Sequence, residues 1–204
     1  MTLATYAELK TAISDTLARD DLTDTQLSGF IRMAEAQMSR QIRHVGMETL
    51  STISLTSRFY TLPADWVETI RLHLPDQPGR IELVGHAALQ DMRVGSETAG
   101  VPRFYAYVGG DIDLYPVPDA TYSAELLYYA AVPALSDTNT SNWLLTAAPD
   151  AYLYGALIHS APLLQEDARI AVWAGLFAAA VGELNAASNA AKWSGTGLRK
   201  RLRG

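Results

Sequence analysis

The stretch that decides the fold is residues 104–115, which read FYAYVGGDIDLY. Two runs rich in aromatic and aliphatic residues flank Gly109 and Gly110. A Gly-Gly pair adopts the positive φ angles of a two-residue hairpin turn at low steric cost. The pattern therefore predicts a β-hairpin made of Phe104–Val108 and Ile112–Tyr115.

Further strand signals lie on both sides of this hairpin. A turn at 116–120 leads into a third strand at 122–131, which predicts an antiparallel meander. Upstream, β-branched residues and period-two alternation predict short strands at 50–56, 59–62, 70–74 and 81–83. Residues 86–94 predict one short helix. The middle of the chain is therefore interpreted as a β region.

Helical periodicity precedes the β region. Apolar residues recur at steps of three and four over residues 6–17 and again over 27–42. Each run follows a capping-box pair, Thr5 with Glu8 and then Thr23 with Gln26, in which each side chain bonds the backbone of the other residue. Two consecutive amphipathic helices with a short link predict a helical hairpin.

Helical periodicity also follows the β region. Pro149 suits the first position of a helix that runs to about 161, and an alanine-rich segment continues from 163 to about 192. The predicted fold class is α+β, with a helical bundle of about four helices from both termini and an inserted antiparallel β meander. The predicted domains are residues 1–46, 47–141, 142–191 and a basic tail at 192–204.

Composition excludes several classes of protein. The 204 residues include no cysteine, which excludes a disulfide framework, a thiolate zinc site and a cysteine nucleophile. With 49% apolar and 19% charged residues, the chain is not a disordered polyelectrolyte. No signal peptide is expected, and the longest apolar run, 170–182, falls short of the roughly 18 residues that span a bilayer. We therefore expect no membrane partner.

Charge is distributed unevenly along the chain. The formal net charge is −6, but the last thirteen residues carry five basic residues and no acidic one, which leaves −11 for the remainder. The segment that we interpret as a docking tail contains Lys192, Trp193, Leu198, Arg199, Lys200, Arg201, Leu202 and Arg203. A tail that only solubilises the chain needs no tryptophan, so docking to an acidic partner or to phosphate is favoured over a frayed end.

The sequence has no catalytic or metal-binding motif. Its four histidines form no zinc pattern, and the glycines form no phosphate-binding loop. Asp111 and Asp113 share a face of the predicted hairpin and could hold a cation, although a solvated edge that blocks strand pairing is the better interpretation. We expect no enzyme, cofactor or metal, and keep a hydrolase or lyase with a noncontiguous site as a weaker hypothesis.

Three segments together resemble a known family. Residues 140–157 read TSNWLLTAAPDAYLYGAL, residues 60–66 read YTLPADW, and residues 107–118 read YVGGDIDLYPVP. Taken together, and in their order along the chain, the three segments are similar to the head-to-tail adaptor (connector) proteins of tailed double-stranded DNA phages and to the neck proteins of gene transfer agents. The resemblance covers essentially the whole chain.

The resemblance implies a structural function. Such adaptors form rings, usually dodecamers, beneath the portal protein at the neck of the virion after assembly in the host cytoplasm. The ring extends the channel through which double-stranded DNA passes, and it receives the tail or nozzle protein. The alternative hypothesis is a DNA-binding accessory protein that uses the basic tail.

The resemblance also assigns residues to roles. The tail at 192–204 would dock to the portal. The tail-facing hairpin would present Tyr107, Gly109, Gly110, Asp111 and Asp113. The subunit interface or family motif would comprise Asn142, Trp143, Pro149, Asp150, Tyr152 and Tyr154.

Overall fold

The computed structural model describes residues 3–94, 99–163 and 168–193. Within these ranges the chain forms six α-helices and seven β-strands. The helices are α1 (Tyr6–Leu17), α2 (Asp24–Gln41), α3 (His86–Arg93), α4 (Trp143–Ala147), α5 (Pro149–His159) and α6 (Arg169–Trp193). The strands are β1 (Glu48–Leu55), β2 (Phe59–Thr61), β3 (Trp66–His73), β4 (Arg80–Leu83), β5 (Phe104–Val108), β6 (Asp111–Tyr115) and β7 (Tyr122–Ala130).

The first two helices begin where their capping residues predict. The Thr5 hydroxyl accepts a hydrogen bond from the Glu8 amide, and the Glu8 carboxylate accepts one from the Thr5 amide. Thr23 and Gln26 make the same reciprocal pair at α2. Both predicted capping boxes are confirmed. A capping box is encoded by two residues three positions apart, so a local sequence pattern is enough to predict it.

The chain divides into two compact units. The helical unit contains the chain up to Gly46 and the described chain from Val132 onward, and the β unit is Met47–Ala131. The segment 132–141, which the sequence places in the β insertion, lies with the helices. The four predicted domain segments stay a prediction.

The helical unit is built around α5. This helix packs against α2 and α6 and also contacts α1 and α4. Gly155 makes the close approach possible, because a Cβ atom there would lie 3.0 Å from the Cβ of Ala34 and 3.1 Å from the ring of Phe177. The largest side chains in this core are fully buried. They include Tyr152, Leu9, Ile13, Ile31 and Met38.

The β unit is a single seven-stranded mixed sheet in the order β1-β7-β3-β4-β5-β6-β2. β7 pairs antiparallel with β1 on one side and with β3 on the other. β4 and β5 are parallel, which makes the sheet mixed. Leu55, Leu72, Ile112, Leu114 and Leu126 are among the side chains that form its core.

The predicted fold class, a helical bundle with an inserted antiparallel meander, is wrong. The β5–β6 hairpin forms as predicted, with Val108 opposite Asp111 and Gly109 at a φ of 63°. β7 does not join it as the third strand of a meander. It pairs instead with β1 and β3, whose partner residues lie about 50 to 80 residues earlier in the chain. Local patterns locate strands but leave nonlocal pairing undetermined, so the strands assemble into one seven-stranded mixed sheet instead of a small meander.

Candidate functional site

The family-like motif at 140–157 forms a buried polar network in the helical unit. Asn142 caps α4, since its side-chain oxygen accepts a 2.8 Å hydrogen bond from the Leu145 amide. Its amide nitrogen donates to the Pro133 carbonyl at 2.8 Å and to the Tyr152 hydroxyl at 2.7 Å. Asn142 therefore ties the segment that returns from the β unit to the middle of α5.

Glu35 of α2 completes this network. Its carboxylate accepts hydrogen bonds from the Leu135 amide at 2.8 Å and from the Tyr152 hydroxyl at 3.3 Å. Burial raises the pKa of Glu35, although the hydrogen bonds from Leu135 and Tyr152 and the charge of Arg32 oppose that change. Burial also raises the pKa of Tyr152, so its hydroxyl remains a donor at neutral pH.

The other motif residues surround this network with different exposures. Trp143 is half-buried and stacks on His44, with ring centroids 5.1 Å apart. Pro149 is the first residue of α5, and Asp150 is exposed in its first turn. Tyr154 is half-buried, whereas Tyr152 is fully buried within its own chain. Of the two tyrosines, only Tyr154 has side-chain surface accessible to solvent.

Two residues that the sequence analysis did not single out hold the other end of the helical unit. Asn185 of α6 accepts a hydrogen bond from the Arg43 amide at 2.9 Å and donates to the Gln41 carbonyl at 3.0 Å. Ser188, fully buried, accepts one from the Val45 amide at 2.9 Å. The signal was available, because a serine stands in line with Leu184 on the apolar face of α6.

The face of α6 that points away from the core of the helical unit is apolar and exposed. Trp173, Phe177 and Leu184 point into the core, while Val172 is 61% exposed and Leu176 is 42% exposed. The other exposed positions on this face are mostly small: Ala171, Ala174, Gly175, Ala178, Ala179, Gly182, Ala186 and Ala187. Over Arg169–Lys192, α6 is long and apolar enough to cross a membrane by length and composition alone. Core helices of soluble proteins also have this length and composition. The predicted absence of a membrane partner stays a prediction.

The hairpin residues are more buried than a tail-facing tip would suggest. Tyr107 is half-buried and contacts Trp66 and Tyr105, with ring centroids 5.2 Å and 5.6 Å away. Gly109 and Gly110 form the exposed turn, and Asp111 is half-buried. Tyr107 of the hairpin thus packs against aromatic rings of its own unit, at a tilt to Trp66 and edge-on to Tyr105.

Asp113 is fully buried, so its interpretation as part of a solvated edge is wrong. Its carboxylate accepts paired hydrogen bonds from Arg58, at 2.9 and 3.0 Å, and from Arg93. Burial alone would raise the pKa of Asp113, but hydrogen bonds from Arg93 and Arg58 lower it to about 2. The cluster fastens α3 and the β1–β2 connection to β6. Its partners lie 20 and 55 residues away, so hairpin spacing alone could not indicate it.

The docking tail lies mostly outside the described residues. Lys192 and Trp193 end α6. The remaining tail residues fall beyond 193, in the part of the chain that the structure does not describe. They are Leu198, Arg199, Lys200, Arg201, Leu202 and Arg203.

Two open cavities, of about 440 and 620 Å³, lie in the β unit beside β4. Their charged lining is mainly arginine, with Glu82 as the carboxylate, and no histidine lines either one among the described residues. Across the same part of the chain, no group of three or more histidine, aspartate or glutamate side chains is arranged to hold a metal.

Comparison with known proteins gives a match to one family model. No curated protein matches the chain. The family model described as SU10 adaptor protein matches residues 4–201, nearly the whole sequence and all three motif segments. This family is a structural phage protein family rather than a known enzyme class. It implies a place in the virion neck and contact with portal and tail components. The chain belongs to the SU10 adaptor protein family, in agreement with the phage head-to-tail adaptors that its motifs resemble.

Proposed function

We propose that copies of this chain form a ring, with twelve as the expected number, beneath the portal of a filled capsid. The ring extends the DNA channel and receives the tail or nozzle protein. Its role is structural, with no catalysis, cofactor or metal. The family match supports the adaptor function, and the exposed face of α6 is the observation that supports the ring.

The exposed face of α6 has the composition of a helix interface. It is built mainly from alanine and glycine, which let helices approach closely, and Val172 and Leu176 supply larger apolar surface. Between Ile170 and Ala191 the only charged residue is Glu183. A contiguous apolar surface of this length indicates contact with another molecule, and neighbouring copies in a ring would cover it.

Substitution of Leu176 tests the ring. A glutamate at this exposed position should leave the monomer's stability within about 0.5 kcal/mol. It should nevertheless prevent ring density under the portal in electron cryomicroscopy of assembled particles. Leu176→Met, which keeps the position apolar, is the matched control and should form rings. Normal rings with Leu176→Glu would contradict this interface.

The basic tail supports docking to the portal. Five basic side chains and Trp193, Leu198 and Leu202 fall within thirteen residues. Deletion of 194–204 preserves α6, so the shortened protein should fold normally but fail to sediment with filled heads. If it still binds the heads and recruits tails, the tail does not dock to the portal.

The acidic remainder of the chain suits a DNA channel. Residues 1–191 have twice as many acidic as basic side chains. A negative lumen repels phosphate, so DNA can slide through it without adhering. In this arrangement the β unit, with the hairpin at its Gly109-Gly110 turn, faces the next tail component.

DNA binding by the tail is the second candidate function, and the cluster of five basic residues is the observation that favours it. Binding would weaken steeply with salt, with a log–log slope of roughly −4 to −5 for five phosphate contacts. Fluorescence anisotropy with a duplex oligonucleotide measures this slope. A flat response would exclude the phosphate clamp and leave portal docking as the tail's role.

A further inference from the structure

A stripe of residues on α2 matches the exposed face of α6 in its spacing. Both stripes have four positions separated by steps of four, three and four residues, so each follows one side of its helix for about three turns. The α2 stripe is Gly29, Met33, Ala36 and Arg40, and the α6 stripe is Val172, Leu176, Ala179 and Glu183. We propose that the α2 stripe of one copy binds the α6 stripe of the next copy in the ring. This inference rests on the proposed adaptor function and specifies which surface receives α6.

The two helices run in the same direction within one chain, at a nearly constant offset in residue number. Ala34 and Phe177 meet at the same point of α5, because a Cβ atom at Gly155 would lie 3.0 Å from the first side chain and 3.1 Å from the second. About two turns farther along both helices, the Asn185 side chain donates a hydrogen bond to the Gln41 carbonyl at 3.0 Å. Each residue of α2 is therefore level with the residue of α6 that lies 143 or 144 positions later.

The stripes have this same offset. Each position of the α6 stripe lies 143 residues after its counterpart on the α2 stripe. A rotation about an axis along these helices therefore brings the α6 stripe of one copy beside the α2 stripe of the next with no rise along the axis. Head-to-tail contacts that close make a ring, whereas contacts with a rise continue as a helical filament. The matched levels favour a neighbouring copy in a ring as the occupant of both stripes.

Side-chain sizes are complementary along the stripes. Gly29 faces open space, since no atom outside its own stretch of helix lies within 4 Å of a Cβ built there, and its counterpart Val172 is 61% exposed. Met33, 45% exposed, is level with Leu176, 42% exposed. The third pair consists of two exposed alanines, whose small side chains let helix axes approach to about 8 Å. The contact would thus bury the larger apolar side chains of both stripes.

The fourth pair brings opposite charges together. Arg40 and Glu183 are exposed, and neither forms an ion pair within the part of the chain that the structure describes. Burial and the charge of Arg40 lower the pKa of His159, but that imidazole is no counterion for Arg40. Glu183 is the only charged residue between Ile170 and Ala191, so Arg40 of the neighbouring copy would be its counterion. Such a pair at one end of the contact fixes which levels meet.

A charge swap tests the fourth pair. Arg40→Glu and Glu183→Arg each place like charges at the contact. Each should raise the adaptor concentration that half-saturates filled heads by about tenfold. The double variant restores opposite charges and should return to within about threefold of wild type, and matched melting temperatures confirm folding. A double variant no better than the worse single variant overturns the proposal, as does a single variant that binds like wild type.

Introduced cysteines locate the contact independently. The chain has no cysteine, so any disulfide between adaptor copies is an introduced one. Ala36→Cys with Ala179→Cys should give a ladder of multimers from head-bound adaptor after mild oxidation, because the proposed contact brings these positions within disulfide reach. Non-reducing denaturing electrophoresis measures the ladder. The control, Ala36→Cys with Ala186→Cys, moves one thiol about two turns along α6 and should crosslink less than about a tenth as much.

The remaining outcomes separate this inference from the adaptor function. No ladder with the first cysteine pair, equal crosslinking of both pairs, or dimers without larger species would each overturn the contact between α2 and α6. If Leu176→Glu abolishes binding to heads while both single charge variants bind normally, the portal covers α6 instead of a second copy. In every one of these cases, a ring beneath the portal leaves the adaptor function standing. Wild-type particles without such a ring would overturn the proposed function itself.

Discussion

Each compact unit contains a carboxyl group shielded from solvent, Asp113 completely and Glu35 in part, and the pKa values of the two groups move in opposite directions. Asp113 of the β unit is held by two guanidinium groups, which lower its pKa to about 2 despite its burial. Glu35 of the helical unit accepts hydrogen bonds from a backbone amide and a tyrosine hydroxyl, and burial raises its pKa. Neutral donors do not offset desolvation, whereas paired cations do. The two units should therefore differ in what destabilises them.

The largest expected effect comes from removing a guanidinium from the β unit. Arg93→Met removes one of the two guanidinium groups that the described chain places against the buried Asp113, which should cost about 3 kcal/mol in the free energy of unfolding. Chemical denaturation measures the loss. Arg80→Met is the control, because Arg80 is exposed and its pair with Glu82 is 3.7 Å long, so its effect should stay below about 0.5 kcal/mol. A loss under 1 kcal/mol for Arg93→Met would mean that the ion cluster does not hold the unit together.

The helical unit should respond most strongly to packing. Gly155→Val adds three carbon atoms where α5 meets Ala34 and Phe177, and should cost about 2 to 3 kcal/mol. Gly182→Ala on α6 provides the contrast, since no atom lies within 4 Å of the added Cβ. Alanine favours helix there by about 0.5–1 kcal/mol. Equal effects at the two glycines, measured by thermal unfolding, would show that α5 is not tightly packed.

The effect of pH should separate the two units. Because Asp113 has a lowered pKa, its contribution of about 2 kcal/mol is present above pH 4 and is lost as pH falls toward 2. Glu35, with a raised pKa, contributes in the opposite sense: its stabilising effect is present below its ordinary pKa and is lost as pH rises through the raised value. Hydrogen exchange in β6 and in α5 measures each unit separately. If acid speeds hydrogen exchange in β6 and in α5 to the same extent, the two carboxyl groups do not give the units opposite responses to pH.

The smallest of these effects concerns the hydroxyl of Tyr152. Tyr152→Phe removes the donor to Glu35 and the acceptor of Asn142, which should cost about 1 kcal/mol. Tyr154→Phe, at a half-buried position on the same helix, should change stability by less than about 0.5 kcal/mol. Double-mutant cycles with Glu35→Gln would measure whether the hydroxyl and the carboxyl act together.

Features encoded by adjacent residues were predictable. The Thr5 and Thr23 caps and the turn at Gly109 each depend on two to four neighbouring residues, and the structure contains all three. The hairpin and the strand signals were located, but β7 pairs with β1 and β3 from far upstream. No local pattern specifies that choice, because several β-branched runs satisfy the same alternation.

The candidate site was predictable only as a set of residue types. The basic residues of the tail are visible in the sequence, and the motif around Asn142 and Tyr152 led to the family. Their physical roles needed the fold, since Tyr152 contacts Glu35 across 117 residues of sequence. Asp113 was interpreted as part of a solvated edge because its two cationic partners, Arg58 and Arg93, are distant in sequence.

The chain passes from the helical unit to the β unit after Gly46 and returns at Val132. The helical unit therefore serves as the scaffold that holds both connections. Asn185 and Ser188 hold the departing chain at 41–45, and Asn142 and Glu35 hold the returning chain at 133–135. The first and last described segments, 3–46 and 168–193, belong to that scaffold as well. Met47–Ala131 is therefore an exchangeable cassette. Under the proposed function, a chimera carrying the corresponding segment of another adaptor would keep portal docking while acquiring a different tail specificity. The same division would let one half of the chain diverge under selection by tails while the other half stays matched to its capsid.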